Sequence, residues 1–260
     1  MPVPGDVVDA RELEDARTVI DGIHPRASTV QRQSGRGRRT VMAANIDTLI
    51  TVAALADPPL HLELVDRLIA FAERNELAII LALTKADLAG GDAVARVVSL
   101  YEGAPLAYPT LVLNPRAGMG VEGFRERIAG HHALLVGQSG VGKSTLFARL
   151  GGTSVVGEVS KTGRGRQTTS AARLFMFEDG FLIDSPGIGE FVLGRVEPAE
   201  LVACFRDLRE PATRCRFRDC RHLTEPGCGV RGAVEAGTVA RSRYASYAAI
   251  LAEATEAVVW

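Results

Sequence analysis

Nine consecutive residues, Gly137-Gln138-Ser139-Gly140-Val141-Gly142-Lys143-Ser144-Thr145, fill every fixed position of the phosphate-binding pattern G-x-x-x-x-G-K-[ST]. The apolar stretch Ala133–Val136 ahead of them reads as a buried strand, and Gly142–Leu150 behind them reads as a helix. Glycines let the backbone wrap closely round an anion, so that amide N–H groups and a helix N-terminus face a phosphate. Lys143 can then reach the β- and γ-phosphates, while the Ser144 hydroxyl can ligate Mg²⁺. The competing reading, a glycine-rich turn that holds nothing, does not account for the strand before the loop and the helix after it.

Two further motifs give that triphosphate a base and a reaction. Thr84-Lys85-Ala86-Asp87 follows the apolar run Leu77–Leu83. A carboxylate at Asp87 can accept from guanine N1–H and the exocyclic amine together, a donor pair adenine lacks, and the stem of Lys85 can cover the base. Asp184-Ser185-Pro186-Gly187 matches D-x-x-G, with Asp184 toward Mg²⁺ and the Gly187 N–H toward the γ-phosphate. Between the two phosphate motifs, Thr168-Thr169 in the glycine-flanked stretch 157–169, which reads as a mobile loop, is expected to close on Mg²⁺ and the γ-phosphate as a switch. Ser144, Thr169 and Asp184 are thus the expected Mg²⁺ ligands. Ile188 directly follows the D-x-x-G motif and has no group to orient a water, so hydrolysis is expected to be slow without help.

The order of these motifs is unusual. The base-reading Asp87 precedes the phosphate loop, and a candidate base-backing loop, Asn114–Gly120, lies between them. A GTPase sheet can be built from a rotated chain order where the original termini lie close together. That rotation puts the segment beyond residue 200 just after the Asp184–Gly187 switch.

A second constellation is Cys215-x₄-Cys220-x-His222-x₅-Cys228. Three thiolates and an imidazole suit tetrahedral Zn²⁺, and four protein ligands leave no open position, so the expected role is structural. Disulfides are the competing reading, opposed by an N-terminus unlike a secretion signal. Cys204, in an apolar stretch expected to form one helix from Leu201 to Leu208, reads as core.

These residues need a scaffold, and the pattern supplies one. From about residue 44 to 200 apolar strands (48–54, 77–83, 110–113, 133–136, 172–177, 181–183) alternate with amphipathic helices (62–74, 93–101, 121–128, 142–150), which predicts an α/β fold with a mostly parallel sheet. Residues 1–43 carry only short β-like stretches such as Arg17–Ile20 and Thr40–Met42, and residues 201–260 read as helical around the Cys/His cluster. The chain has 260 residues, 47% hydrophobic and 23% charged, with no apolar run of membrane-span length, so a cytoplasmic monomer without membrane association is expected. A net charge of −1 excludes a uniformly basic coat, yet arginines and lysines cluster at 32–39, 161–166 and 209–221, which points to local RNA contact.

Taken together, the rotated motif order, Gly137–Thr145, Gly163-Arg-Gly-Arg-Gln167-Thr168-Thr169, Asp184–Gly187, Glu190-Phe191, Glu197-Pro198, Asp219-Cys220-Arg-His222 and Glu225-Pro-Gly-Cys228 resemble the RsgA (YjeQ/EngC) family over nearly the whole chain. The resemblance implies a circularly permuted P-loop GTPase domain (44–200), preceded by an OB-fold and followed by a helical zinc-binding domain (201–260). It also implies GTP hydrolysis to GDP in late maturation of the small (30S) ribosomal subunit, with contacts to 16S rRNA and stimulation by the particle. Pro4-Gly5-Asp6-Val7 resembles the middle of that OB-fold, so residues 1–43 are expected to be a partial one. Gln167 stands where the family carries His, and its amide could orient the attacking water beside Lys143, Thr168, Thr169 and Gly187. Asn114-Pro115 replaces the family's Ser-Ala in the base-backing loop. Two other readings compete: a P-loop ATPase or kinase, which would use neither Asp87 nor the rotated order, and an RNA-binding assembly scaffold with a vestigial GTPase, which the complete phosphate motifs oppose.

Overall fold

Seven residues in a row, Thr48–Ala54, are buried, as a strand covered on both faces requires, and they form β5 at the middle of a six-stranded sheet. The computed structural model describes residues 1–13, 17–33, 39–151, 173–177, 179–184, 193 and 196–256. The sheet order is β7-β6-β5-β8-β10-β9, with β6 Ala78–Thr84, β7 Thr110–Leu113, β8 His132–Val136, β9 Arg173–Phe177 and β10 Gly180–Asp184. All neighbours are parallel except β9, which runs antiparallel to β10 at one edge. The expected strands are therefore present, shifted by a residue at some ends.

Helices cover both faces. On one face, α1 (Leu62–Arg74) turns Val65, Leu68, Ile69 and Ala72 inward at helical spacing, joined by α2 (Gly91–Glu102) through Tyr101. On the other lie α3 (Val121–Ile128) and α4 (Lys143–Arg149), packed through Phe124, Ile128, Leu146 and Phe147. From the central pair β5 and β8, the chain winds through α1 to one edge and through α4 toward the other. The crevice at such a reversal, beyond the strands' carboxyl ends, is where open α/β sheets bind ligands.

Residues before β5 form two separate antiparallel pairs, β1 (Val8–Glu12) with β2 (Thr18–Ile23) and β3 (Thr29–Gln33) with β4 (Arg39–Ala44). The N-terminal turn is tied to this region by Arg26 Nε, which donates to Asp6 Oδ1 at 2.6 Å.

Beyond the sheet, α5 (Pro198–Ala203), α6 (Arg206–Ala212), α7 (Gly229–Glu235) and α8 (Arg241–Glu256) share one core with the α1 face, through Leu201, Phe205, Leu208, Val230, Tyr247 and Leu251. The single helix expected over Leu201–Leu208 is in fact two. Phe205 is extended (φ −114°, ψ 98°) so that its ring can bury fully and meet Tyr247 edge-on at 5.6 Å. Cys204 lies at this break, buried as expected. Its Sγ donates to the Glu200 carbonyl at 3.2 Å, and burial pushes its pKa up to about 11, which leaves it an unreactive thiol.

Candidate functional site

The carboxyl ends of the parallel strands open into one cavity of about 710 Å³, a volume suited to a nucleotide-sized ligand. The β8–α4 turn contributes Ser139 through Thr145, and β10 contributes its last residue, Asp184. Thr84, Lys85 and Asp87 enter from the end of β6, and Asn114, Pro115 and Arg116 from the end of β7. Motifs about 50 residues apart in sequence thus meet because their strands neighbour one another and end on the same side. Ala86 opens a single 3₁₀ turn, Ala86–Leu88, and is not among the lining residues.

Gly137 and Gln138 are not among the residues lining the cavity, and Gly137 shapes the start of the loop. Gly137 has φ +148°, and a Cβ there would fall 2.1 Å from the Val52 carbonyl oxygen, so only glycine lets the turn start against β5. The buried Lys143 ammonium donates to the Gly137 and Gln138 carbonyls at 2.7 and 2.9 Å. Burial lowers its pKa while the negative charge of Asp184 opposes the shift. An anion in the cavity would supply the compensating charge that two neutral carbonyls do not.

The two sequence motifs are also joined directly. The Thr84 hydroxyl, fully buried at the end of β6, donates to the Val141 carbonyl at 2.6 Å and lies 3.3 Å from the Ala53 carbonyl. Lys85 adopts a left-handed conformation (φ 56°) and its ammonium donates to the Asp57 carbonyl. Asp57 lines the cavity as well, a position sequence reading passed over. Its signal was available: it follows the carboxyl end of a central parallel strand, where residues face the crevice.

The second site assembles as the spacing predicted. The ligand atoms of Cys215, Cys220, His222 and Cys228 lie within 4.8 Å of one another, and the cluster could hold one metal ion. His222 Nδ1 sits 3.3 Å from Cys215 Sγ and 3.6 Å from Cys228 Sγ. Burial lowers the His222 pKa against the opposing charge of Glu225, which favours the neutral ring a metal needs. Cys215 Sγ also accepts from the Gly229 amide at 3.3 Å, a contact that suits a thiolate. His131 and His132, by contrast, are structural: His131 Nδ1 is 3.0 Å from Asp47 Oδ1, and His132 stacks on Phe181 at 4.3 Å.

Several expected site residues lie outside the described residues: Gln167, Thr168, Thr169, Gly187 and Ile188, with the rest of the 157–169 loop and the basic cluster at 161–166. In the cluster near the metal ligands, Arg209 pairs with Glu73 at 2.7 Å and Arg214 with Glu210 at 2.9 Å. Arg216 and Arg218 are exposed, beside the partly exposed ring of Phe217.

A family model described as RsgA GTPase matches residues 23–194. The chain belongs to the RsgA GTPase family. Among curated relatives, the small ribosomal subunit biogenesis GTPase RsgA of Azotobacter vinelandii is 41% identical over 259 residues, covering 98% of this chain and 75% of the relative. That of Sodalis glossinidius is 37% identical over 238 residues, covering 88% of this chain and 68% of the relative. The crystal structure of YjeQ from Thermotoga maritima superposes with a TM-score of 0.75 at 30% identity, covering 98% and 85% of the two chains. The crystal structure of YloQ, described as a circularly permuted GTPase, gives 0.73 at 25% identity, covering 98% and 82%. The fold is accordingly that of a circularly permuted GTPase, and the family's GTP hydrolysis implies use of Mg²⁺. Among the described residues no helix is long and apolar enough to cross a membrane.

Proposed function

We propose that this protein hydrolyses GTP to GDP and phosphate while bound to the small (30S) ribosomal subunit late in its maturation; the relatives named small ribosomal subunit biogenesis GTPase support the GTPase activity and the link to that subunit. The observation that carries this reading is the single cavity lined at once by Asp87, Lys143 and Asp184. In it, the phosphate-loop amides and Lys143 hold the triphosphate, and the Asp87 carboxylate accepts from guanine. Bound Mg²⁺ neutralises charge on the phosphates. Ser144 and Asp184 offer the hard oxygen donors that ion prefers, and Thr169 is the third ligand. Gln167 is proposed to orient the attacking water, Thr168 to act with Thr169 in the switch, and the Gly187 N–H to meet the γ-phosphate. Zn²⁺ is the metal for Cys215, Cys220, His222 and Cys228, whose S₃N donor set suits it, and its role there is structural. The protein is proposed to work in the cytoplasm as a monomer in contact with 16S rRNA; the exposed Arg216 and Arg218 near the cluster support the RNA contact.

GTP turnover measured with and without purified small subunits tests the reading. Stimulation by the particle is expected, because Ile188 cannot orient a water and the particle is proposed to order the 157–169 loop. Equal rates would remove the proposed partner. A separate prediction concerns the base. Hydrogen bonds to a charged group contribute roughly 1.5–3 kcal/mol each, and Asp87 is proposed to make two. Asp87→Ala should therefore weaken GTP by roughly 100-fold or more and leave ATP, expected to bind the wild type poorly, unchanged. Nucleotide competition that finds no preference for GTP in the wild type would point to the ATPase reading instead.

A further inference from the structure

The metal ligands do not account for the shape of the loop that carries them. His222 is buried and sits in the left-handed region at φ 64°, where a residue with a side chain is strained. Something must hold the backbone there if the imidazole is to face the sulfurs.

We infer that Glu225, which is not a ligand, is the positioning residue of this metal loop. One carboxylate oxygen accepts from the Arg221 amide at 3.0 Å, and the other accepts from the amides of Leu223 and Thr224, each at 3.0 Å. These three N–H groups flank His222 on both sides. Helix α8 holds two of the carbonyls. The Tyr244 hydroxyl donates to the His222 carbonyl at 2.8 Å, and the Tyr247 hydroxyl donates to the Arg221 carbonyl at 3.0 Å. Residues 221–224 are thus fixed by side chains rather than by a helix or a strand. A carboxylate suits the task because it accepts on two oxygens at once and carries the charge that strengthens each bond.

The inference rests on reading the cluster as a zinc site, and it is specific about Glu225→Gln. The amide is close in size, but it has one acceptor oxygen and presents an N–H₂ donor to backbone N–H groups. The measurement uses the full chain, with Zn²⁺ affinity from chelator competition and the visible spectrum of the Co²⁺-loaded protein. Partners of this kind typically contribute 10–100-fold to metal affinity, and E225Q is expected to lose roughly that much. Its Co²⁺ bands should shift as His222 leaves the inner shell, a change that a loss of stability elsewhere would not produce in a loaded site. Should E225Q fail to fold, Glu225→Asp keeps the charge but draws the oxygens back by one methylene, and a smaller loss with the same spectral shift is expected. Wild-type affinity and spectrum in the variant would overturn the positioning role alone. A wild-type chain that takes up no Zn²⁺ would overturn the zinc reading and this inference with it.

Discussion

Arg243→Ala is expected to lower stability by about 3–5 kcal/mol, the range for stranding one partner of a buried ion pair. Arg243, on α8, has no exposed surface, and neither does Asp66 on α1. Its Nη1 donates to Asp66 Oδ1 at 2.5 Å, while Nη2 and Nε donate to the two oxygens of Asp207 on α6 at 3.0 and 3.2 Å. The guanidinium also lies 4.6 Å from the Phe205 ring centre, and the Tyr101 hydroxyl of α2 donates to Asp66. Burial opposes the charge on Arg243, but the Asp66 and Asp207 carboxylates raise its pKa above the ordinary arginine value, so it stays ionised. Removing it leaves two acids in a dry core with no cation. Denaturant unfolding measures the loss. Asp66→Asn combined with Arg243→Met should recover part of it, because the stranded charge rather than the lost attraction dominates. Arg67 makes the useful contrast. It pairs with Glu63 at 3.0 Å and with Glu253 at 2.5 Å, but those carboxylates are 52% and 46% exposed, and Arg67→Ala should cost less than about 1 kcal/mol from each pair. Equal losses at the two positions would mean that burial is not the deciding factor.

Lys143→Ala should reduce GTP turnover by roughly 100- to 1,000-fold, the range for deleting one preorganised charge-stabilising donor. Folding should be little affected. Among the described residues the ammonium bonds only to the Gly137 and Gln138 carbonyls, which belong to the loop itself. Its lowered pKa also means that the charge is held at some cost before an anion arrives. Steady-state phosphate release alongside thermal unfolding separates the two effects. Undiminished turnover in a well-folded variant would show that Lys143 does not touch the triphosphate.

Helix α1 explains why the C-terminal helices and the sheet behave as neighbours with one core. Besides Asp66, it presents Glu73, which accepts from Arg206 and Arg209 of α6 at 2.7 Å each and from the Tyr108 hydroxyl at 3.0 Å. Arg74 donates to Glu200 of α5 at 2.7 Å. The helix begins five residues after the cavity-lining Asp57, so the element that anchors the metal-bearing segment also leads out of the pocket wall.

Much of this was readable from residue order alone. Phosphate loops and metal knuckles are local: their backbone geometry requires particular residues a few positions apart, so Gly137–Thr145 and Cys215–Cys228 announced themselves. Central parallel strands were equally legible, because burial on both faces leaves continuous apolar runs such as Thr48–Ala54. What required the folded chain was everything made between distant segments. That Thr84 grips Val141, or that Asp57 faces the cavity, depends on which strands are neighbours. Arg243 and Asp66 are 177 positions apart, and each looks like an ordinary surface charge until packing removes the water around both. Glu225 fell between these cases: its position was visible in the motif, but its work on three backbone amides appears only once the loop has closed.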